Sequence, residues 1–105
     1  MGITYFPIAQ PGEIAEGEMK AVDLGGREIL VTVIEGQHVA FARQCPHEGT
    51  NLDNAELDGS QLRCEGHSYY FDLHSGQCVA PAGGPVLAVL PVEQHDGQLC
   101  VRLEW

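Results

Sequence analysis

The chain has 105 residues, 44% of them apolar, which is material for one domain with a modest core and leaves no room for a second. Fifteen Asp and Glu against five Lys and Arg give a formal charge of −10, a surface that repels nucleic acid and anionic membranes. No apolar run approaches the roughly 18–20 residues of a membrane span, and Met1-Gly2-Ile3-Thr4-Tyr5 lacks the basic-then-apolar order of a secretory leader.

The elements read as short strands separated by Gly, Pro and Asp turns. Pro7, Pro11, Gly12 and Gly17 exclude a long helix near the N-terminus and leave at most a helical turn around Pro11 to Ile14. Glu18 to Asp23 is a candidate strand that turns at Gly25-Gly26. Arg27 to Ile34 is rich in β-branched residues and is the clearest strand. After a tight connection at Glu35-Gly36-Gln37, the segment His38 to Gln44 returns as its hairpin partner. Near the C-terminus, Val86 to Gln94 and Gln98 to Leu103 flank His95-Asp96-Gly97, a second hairpin with a strong Asp-Gly turn signal. Neither repeats nor linkers interrupt the chain.

Between the hairpins, residues 45–84 are dense in Cys, His, Gly, Asp and Pro and poor in apolar runs. Such a segment is expected to lack a core of its own and to need another organiser, two loops held by a metal centre. The chemistry-bearing pattern within it is Cys45-Pro46-His47, sixteen residues, then Cys64-Glu65-Gly66-His67. With the cytosol as the expected compartment, where disulfides are rare, the four cysteines read as metal ligands or buried thiols. Thiolate and imidazole suit both zinc and iron. Ligands that chelate one zinc from a single loop usually stand two to four residues apart. The single residue between Cys45 and His47 is tight for closing both side chains onto one ion and better suits two metals side by side. A mononuclear zinc site in an interaction module stays as the alternative.

These residues resemble the Rieske ferredoxins and Rieske domains, closely over Arg43 to Val79 and loosely in the flanking hairpins. Cys45-Pro46-His47-Glu48-Gly49 is similar to the family's first cluster loop and Cys64-Glu65-Gly66-His67 to its second. Phe71-Asp72 and Ser75-Gly76-Gln77-Cys78-Val79 resemble the strand and turn that follow. Pro81 to Pro85 falls where the family has a proline-rich loop over the cluster. The resemblance implies one [2Fe–2S] cluster with Cys45 and Cys64 on one iron and His47 and His67, near the surface, on the other. It implies an all-β fold: an antiparallel sandwich or barrel base, residues 1–44 and 80–105, carrying a small cluster-binding subdomain of two loops, about residues 45–79. Two neutral imidazoles in place of two thiolates make the oxidised cluster two charge units less negative than an all-cysteine one, so an electron is more easily added.

The high-potential members of the family carry an extra cysteine in each loop, where this chain has Thr50 and Gly66, so that disulfide is excluded. They also place Ser and Tyr hydroxyls where this chain has Tyr69 and Phe71. Fewer donors toward sulfur, and the carboxylates of Glu48 and Glu65 beside the ligands, imply a midpoint at the low end of the Rieske range of about −150 to +300 mV. That branch implies a monomeric electron carrier, not itself an enzyme, between a flavin-dependent NAD(P)H reductase and a terminal oxygenase. The alternative is a fixed small subunit of a larger redox enzyme of the nitrite-reductase or arsenite-oxidase kind. The acidic surface fits a partner with a basic docking face, and equally fits a protein that is merely kept dissolved by its charge. His38, His74 and His95 are expected at the surface or in loops, Cys78 and Cys100 as packed thiols, Trp105 against a sheet edge, and Gly59 and Gly76 in turns.

Overall fold

Seven consecutive residues, Glu28–Ile34, form strand β3, and all but the first are buried. In the computed structural model, which describes residues 1–46, 49, 51–64 and 69–104, this strand lies inside the molecule with protein on both faces. Successive side chains of a strand point to opposite faces. Ile29, Val31 and Val33 accordingly enter one core and Leu30 and Ile34 another. Its hairpin partner β4, Gln37–Ala42, divides in the same way, Ala40 to the first core and Val39 and Phe41 to the second. A strand buried on both faces reads as a continuous apolar run instead of alternating, which is why this segment stands out in the sequence.

The β3–β4 pair is the middle of a sheet ordered β2-β3-β4-β9, with β2 at Met19–Asp23 and β9 at Val89–Leu90. A second sheet, β1-β11-β10, is made of Ile3–Ala9, Gln98–Glu104 and Val92–His95. It covers one face of the first through a core of Ile8, Ile29, Val31, Val33, Leu90 and Val101. Residues 56–80 form a third sheet, β5-β6-β7-β8, from Glu56–Asp58, Gln61–Arg63, Tyr70–Asp72 and Cys78–Ala80. Its Leu62 and Phe71, with Leu52, Leu73 and Leu87 from the connections, share the other core with Leu30, Ile34 and Phe41. All pairings between named strands are antiparallel, and no helix occurs among the described residues.

Both expected hairpins form. Glu35-Gly36, with φ of 51° and 78°, and Asp96-Gly97, with 53° and 77°, have the positive φ at both central positions that a type I′ turn needs. The Glu35-Gly36 turn is fastened by Glu16, whose carboxylate accepts from both amides at 2.7 and 3.1 Å. Thr32, the one buried polar side chain among the described residues, donates to the Glu18 carbonyl at 2.6 Å and so leaves no unmet hydroxyl in the core.

Three expectations need correction. The helical turn near Pro11 to Ile14 is a single hydrogen-bonded turn, Glu13 N–H to the Gln10 carbonyl at 3.0 Å, with Gly12 at φ 83°, a value no right-handed helix contains. The strand expected over Val86 to Gln94 is broken at Pro91, where the chain passes from the β4 neighbour β9 to the β11 neighbour β10. The segment 45–84 is not coreless: its three-residue strands bury Leu62 and Phe71 completely. Strand β1 carries no clear strand pattern in the sequence, because Pro7 and the exposed Ile3 break it; proline is tolerated there because β1 is an edge. Trp105 lies outside the described residues.

The third sheet is closed onto the first at Gly76. The Leu87 amide donates to the Gly76 carbonyl at 2.8 Å, and a Cβ on Gly76, at φ 80°, would stand 2.1 Å from the Leu87 carbonyl oxygen. Gly83 has a similar φ of 81° but open space around it. Gly83→Ala is therefore expected to cost about 1 kcal/mol, and Gly76→Ala more than about 3 kcal/mol because backbone must move as well. Urea unfolding of the two variants measures the difference, and equal losses would contradict it.

Candidate metal centre

The first ligand loop leaves β4 and closes on itself at a narrow neck. Gln44 and Asn51 form an antiparallel bridge, and the Leu52 amide donates to the Arg43 carbonyl at 2.7 Å. Cys45 is the first residue past the bridge and is only 1% exposed. Inside the loop the Gly49 amide, at a φ of 74°, turns back to donate to the Cys45 carbonyl at 2.7 Å. The second loop joins β6 to β7. Its mouth is held by the Cys64 amide donating to the Tyr69 carbonyl at 2.9 Å, and Cys64 is also 1% exposed.

Neither cysteine is in a disulfide, and both belong to one core with Leu52, Leu62, Phe71, Leu73 and Leu87. The structure thus brings together Cys45 and Cys64. His47 and His67 lie outside the described residues, as do Glu48, Thr50, Glu65, Gly66 and Ser68. Two unbridged thiols at the mouths of two loops, each followed within three residues of sequence by a histidine, would offer a donor set of two soft sulfurs and two imidazole nitrogens. That set fits an iron–sulfur centre with mixed ligation. Among the described residues no group of three or more His, Cys, Asp or Glu side chains is gathered as a metal site.

The surroundings of the thiols are apolar. Phe71 is fully buried, and its ring lies 6.4 Å from that of Tyr69, which packs on the same core. Cys78 also packs there, half-buried, with its thiol 3.4 Å from the Ala80 carbonyl. Cys100 is buried away from the loops, on β11. His95 stacks on Tyr5 at 4.2 Å, while His38 and His74 line an open cavity of about 360 Å³ beside Leu73 and Ser75.

Sequence reasoning missed an ion-pair network at the neck of the first loop. Arg43 donates to both oxygens of Asp53, Nε at 2.8 Å and Nη2 at 2.7 Å, and its Nη1 meets Glu28. The hydrogen bonds from Arg43 hold the Asp53 carboxyl below the usual carboxylate range, and the same bonds push the Arg43 guanidinium further up. Only the proximity of Arg43 to Cys45 hinted at it in the sequence, since its partners lie ten and fifteen residues away.

The Rieske [2Fe-2S] domain family model matches residues 4–92. The chain is 28% identical over 103 residues to the ferredoxin component of the alkene monooxygenase system of Xanthobacter autotrophicus, covering 97% of this chain and 84% of that one. Its fold superposes on a Sphingomonas yanoikuyae B1 ferredoxin with a TM-score of 0.84 at 22% identity, over 96% of this chain and 100% of the other. A chain from a complex of reduced oxygenase and oxidised ferredoxin in carbazole 1,9a-dioxygenase gives a TM-score of 0.81 at 23% identity, over 91% and 99%. With the family match spanning most of the chain, this protein belongs to the Rieske [2Fe–2S] domain family, and its cofactor is a Rieske-type [2Fe–2S] cluster.

Proposed function

We infer that the protein is the ferredoxin component of an oxygenase system, taking single electrons from a flavin-dependent NAD(P)H reductase and delivering them to a terminal oxygenase that acts on an aromatic or other hydrocarbon. The observation that carries this reading is the buried, unbridged pair Cys45 and Cys64 in one core, in a chain similar over nearly its whole length to an oxygenase-system ferredoxin component. The same likeness favours a carrier over a fixed subunit of a larger redox enzyme. We read the carrier as a cytoplasmic monomer.

When bound, the cluster supplies reversible one-electron transfer. Cys45 and Cys64 are assigned as ligands of one iron and His47 and His67 as ligands of the other, in a subdomain of about residues 45–79 on a base of 1–44 and 80–105. The two cysteines anchor from the core side, where Leu52, Leu62, Phe71 and Leu87 exclude water. Phe71 packs against that core without a hydroxyl to donate, so fewer hydrogen bonds stabilise added negative charge on sulfur. Partner choice falls to the surface. Lys20, Arg43, Arg63 and Arg102, four of the five basic residues, are each paired with a carboxylate, so the field outside the protein is that of its surplus acids. Such a field steers the protein toward basic faces on the reductase and the oxygenase.

Purified with its cofactor, the protein should be brown, with a reduced-state EPR signal averaging below the free-electron g value. A colourless, zinc-containing product would reject the ligand assignment. Potentiometric titration should give a midpoint in the lower part of the Rieske range of about −150 to +300 mV; a clearly positive value would overturn the role given to Phe71. Adding the protein to a reductase–oxygenase pair should raise turnover, and raising the salt from about 0.05 to 0.5 M should weaken its apparent affinity for both partners. Turnover unchanged on adding it would sink the carrier reading.

A further inference from the structure

We propose that Arg43 is a positioning residue for the first cluster loop, a three-way staple that holds the neck of that loop shut and so sets the direction in which Cys45 presents its sulfur. This rests on Cys45 being a cluster ligand. Among the described residues, the backbone closes the neck through one bridge between Gln44 and Asn51 and one hydrogen bond from Leu52 to Arg43, with the Gly49-to-Cys45 turn inside it. Beyond that neck the described residues Cys45, Pro46, Gly49 and Asn51 lie outside any named strand. Arg43 adds side-chain contacts to the same crossing. Its Nε and Nη2 grip both oxygens of Asp53, the second residue past Asn51, at 2.8 and 2.7 Å. Its remaining terminal nitrogen meets Glu28, the first residue of β3. The Arg43 amide also donates to the Glu28 carbonyl at 3.3 Å.

One residue thereby ties the strand entering the loop, the chain leaving it and the central sheet to each other. An isolated surface ion pair contributes little. This one is different in kind. The guanidinium is planar, its fork matches the carboxylate in both contacts, and a third contact fixes its plane. Its side chain is 24% exposed, against 40% for Lys20 in the base ion pair with Glu13. A lysine at position 43 would keep the charge and lose the fork. Two residues downstream, Cys45 has no side-chain freedom beyond its own χ1, so a neck that opens or twists moves the sulfur directly. Groups that orient a metal ligand typically change metal affinity 10–100-fold when removed.

The test uses the holoprotein and three single variants. Arg43→Lys and Asp53→Asn are expected to lose visible absorbance to an iron chelator about tenfold faster than wild type, and to broaden or shift the g values of the reduced cluster. In the double variant the effects should not add, because both changes open the same clasp. Lys20→Gln, which removes an ion pair of the base, should match wild type in bleaching rate and spectrum. Arg43→Lys and Asp53→Asn both indistinguishable from wild type, or Lys20→Gln bleaching as fast as they do, would overturn the staple while leaving the ligand assignment standing. If Arg43→Lys fails to fold, Asp53→Asn alone decides by the same two readouts. A colourless wild-type protein would instead overturn the ligand assignment, and the staple with it.

Discussion

Strand β3 meets water on neither face, and the remainder of the molecule is arranged to make that possible. Its odd-numbered residues from Ile29 to Val33 require one cover, and Leu30 and Ile34 require another. The β1-β11-β10 sheet supplies the first, and the small β5-β6-β7-β8 sheet with its flanking loops supplies the second. In a chain this small a single interface buries too little apolar surface for comfort, and a central sheet used twice is one answer. The two cysteines belong to the second interface. The layer that carries the candidate ligand loops is therefore one of the two that keep the central strand dry, with the thiols of Cys45 and Cys64 on its buried side.

That arrangement gives the apolar neighbours of the thiols two roles. Phe71 and Leu62 close the core over Phe41 and Leu30, and they also make up the medium around Cys45 and Cys64. A low-polarity medium disfavours extra negative charge on sulfur. With Cys45 and Cys64 as the proposed cluster ligands, the packing that stabilises the fold and the surroundings that would tune the electron affinity are the same atoms.

What could be read from the sequence follows from how far each signal reaches along the chain. The β3–β4 hairpin was legible because six consecutive apolar or β-branched residues precede Glu35-Gly36, and the second hairpin because Asp96-Gly97 states its turn type locally. The Cys45/His47 and Cys64/His67 spacings, on which the proposed ligand set rests, could be read because the members of each pair are close in sequence. Strands of three residues such as Gln61–Arg63, with a single buried Leu62 between polar neighbours, carry no periodicity to detect. Pro91 could be seen as a break, but that it moves the chain between sheets depends on partners fifty residues earlier in one case and ten later in the other. The clasp at Arg43 joins residues 28, 43 and 53, a meeting that only the folded chain arranges.

The pairing of β4 with β9 has one more consequence. Phe41 lies opposite Val89, and the Ala42 amide donates to the Ala88 carbonyl at 2.9 Å. Everything between those residues, including both candidate ligand loops and the whole third sheet, is one excursion whose two ends are hydrogen-bonded neighbours about 5 Å apart. The host sheet has already met the entropy of bringing those ends together. In architectural terms the layer that carries Cys45 and Cys64 is an insert in a hairpin, joined to its host sheet at a single backbone seam, and it is not a removable cassette, because its loss would uncover Leu30, Ile34 and Phe41.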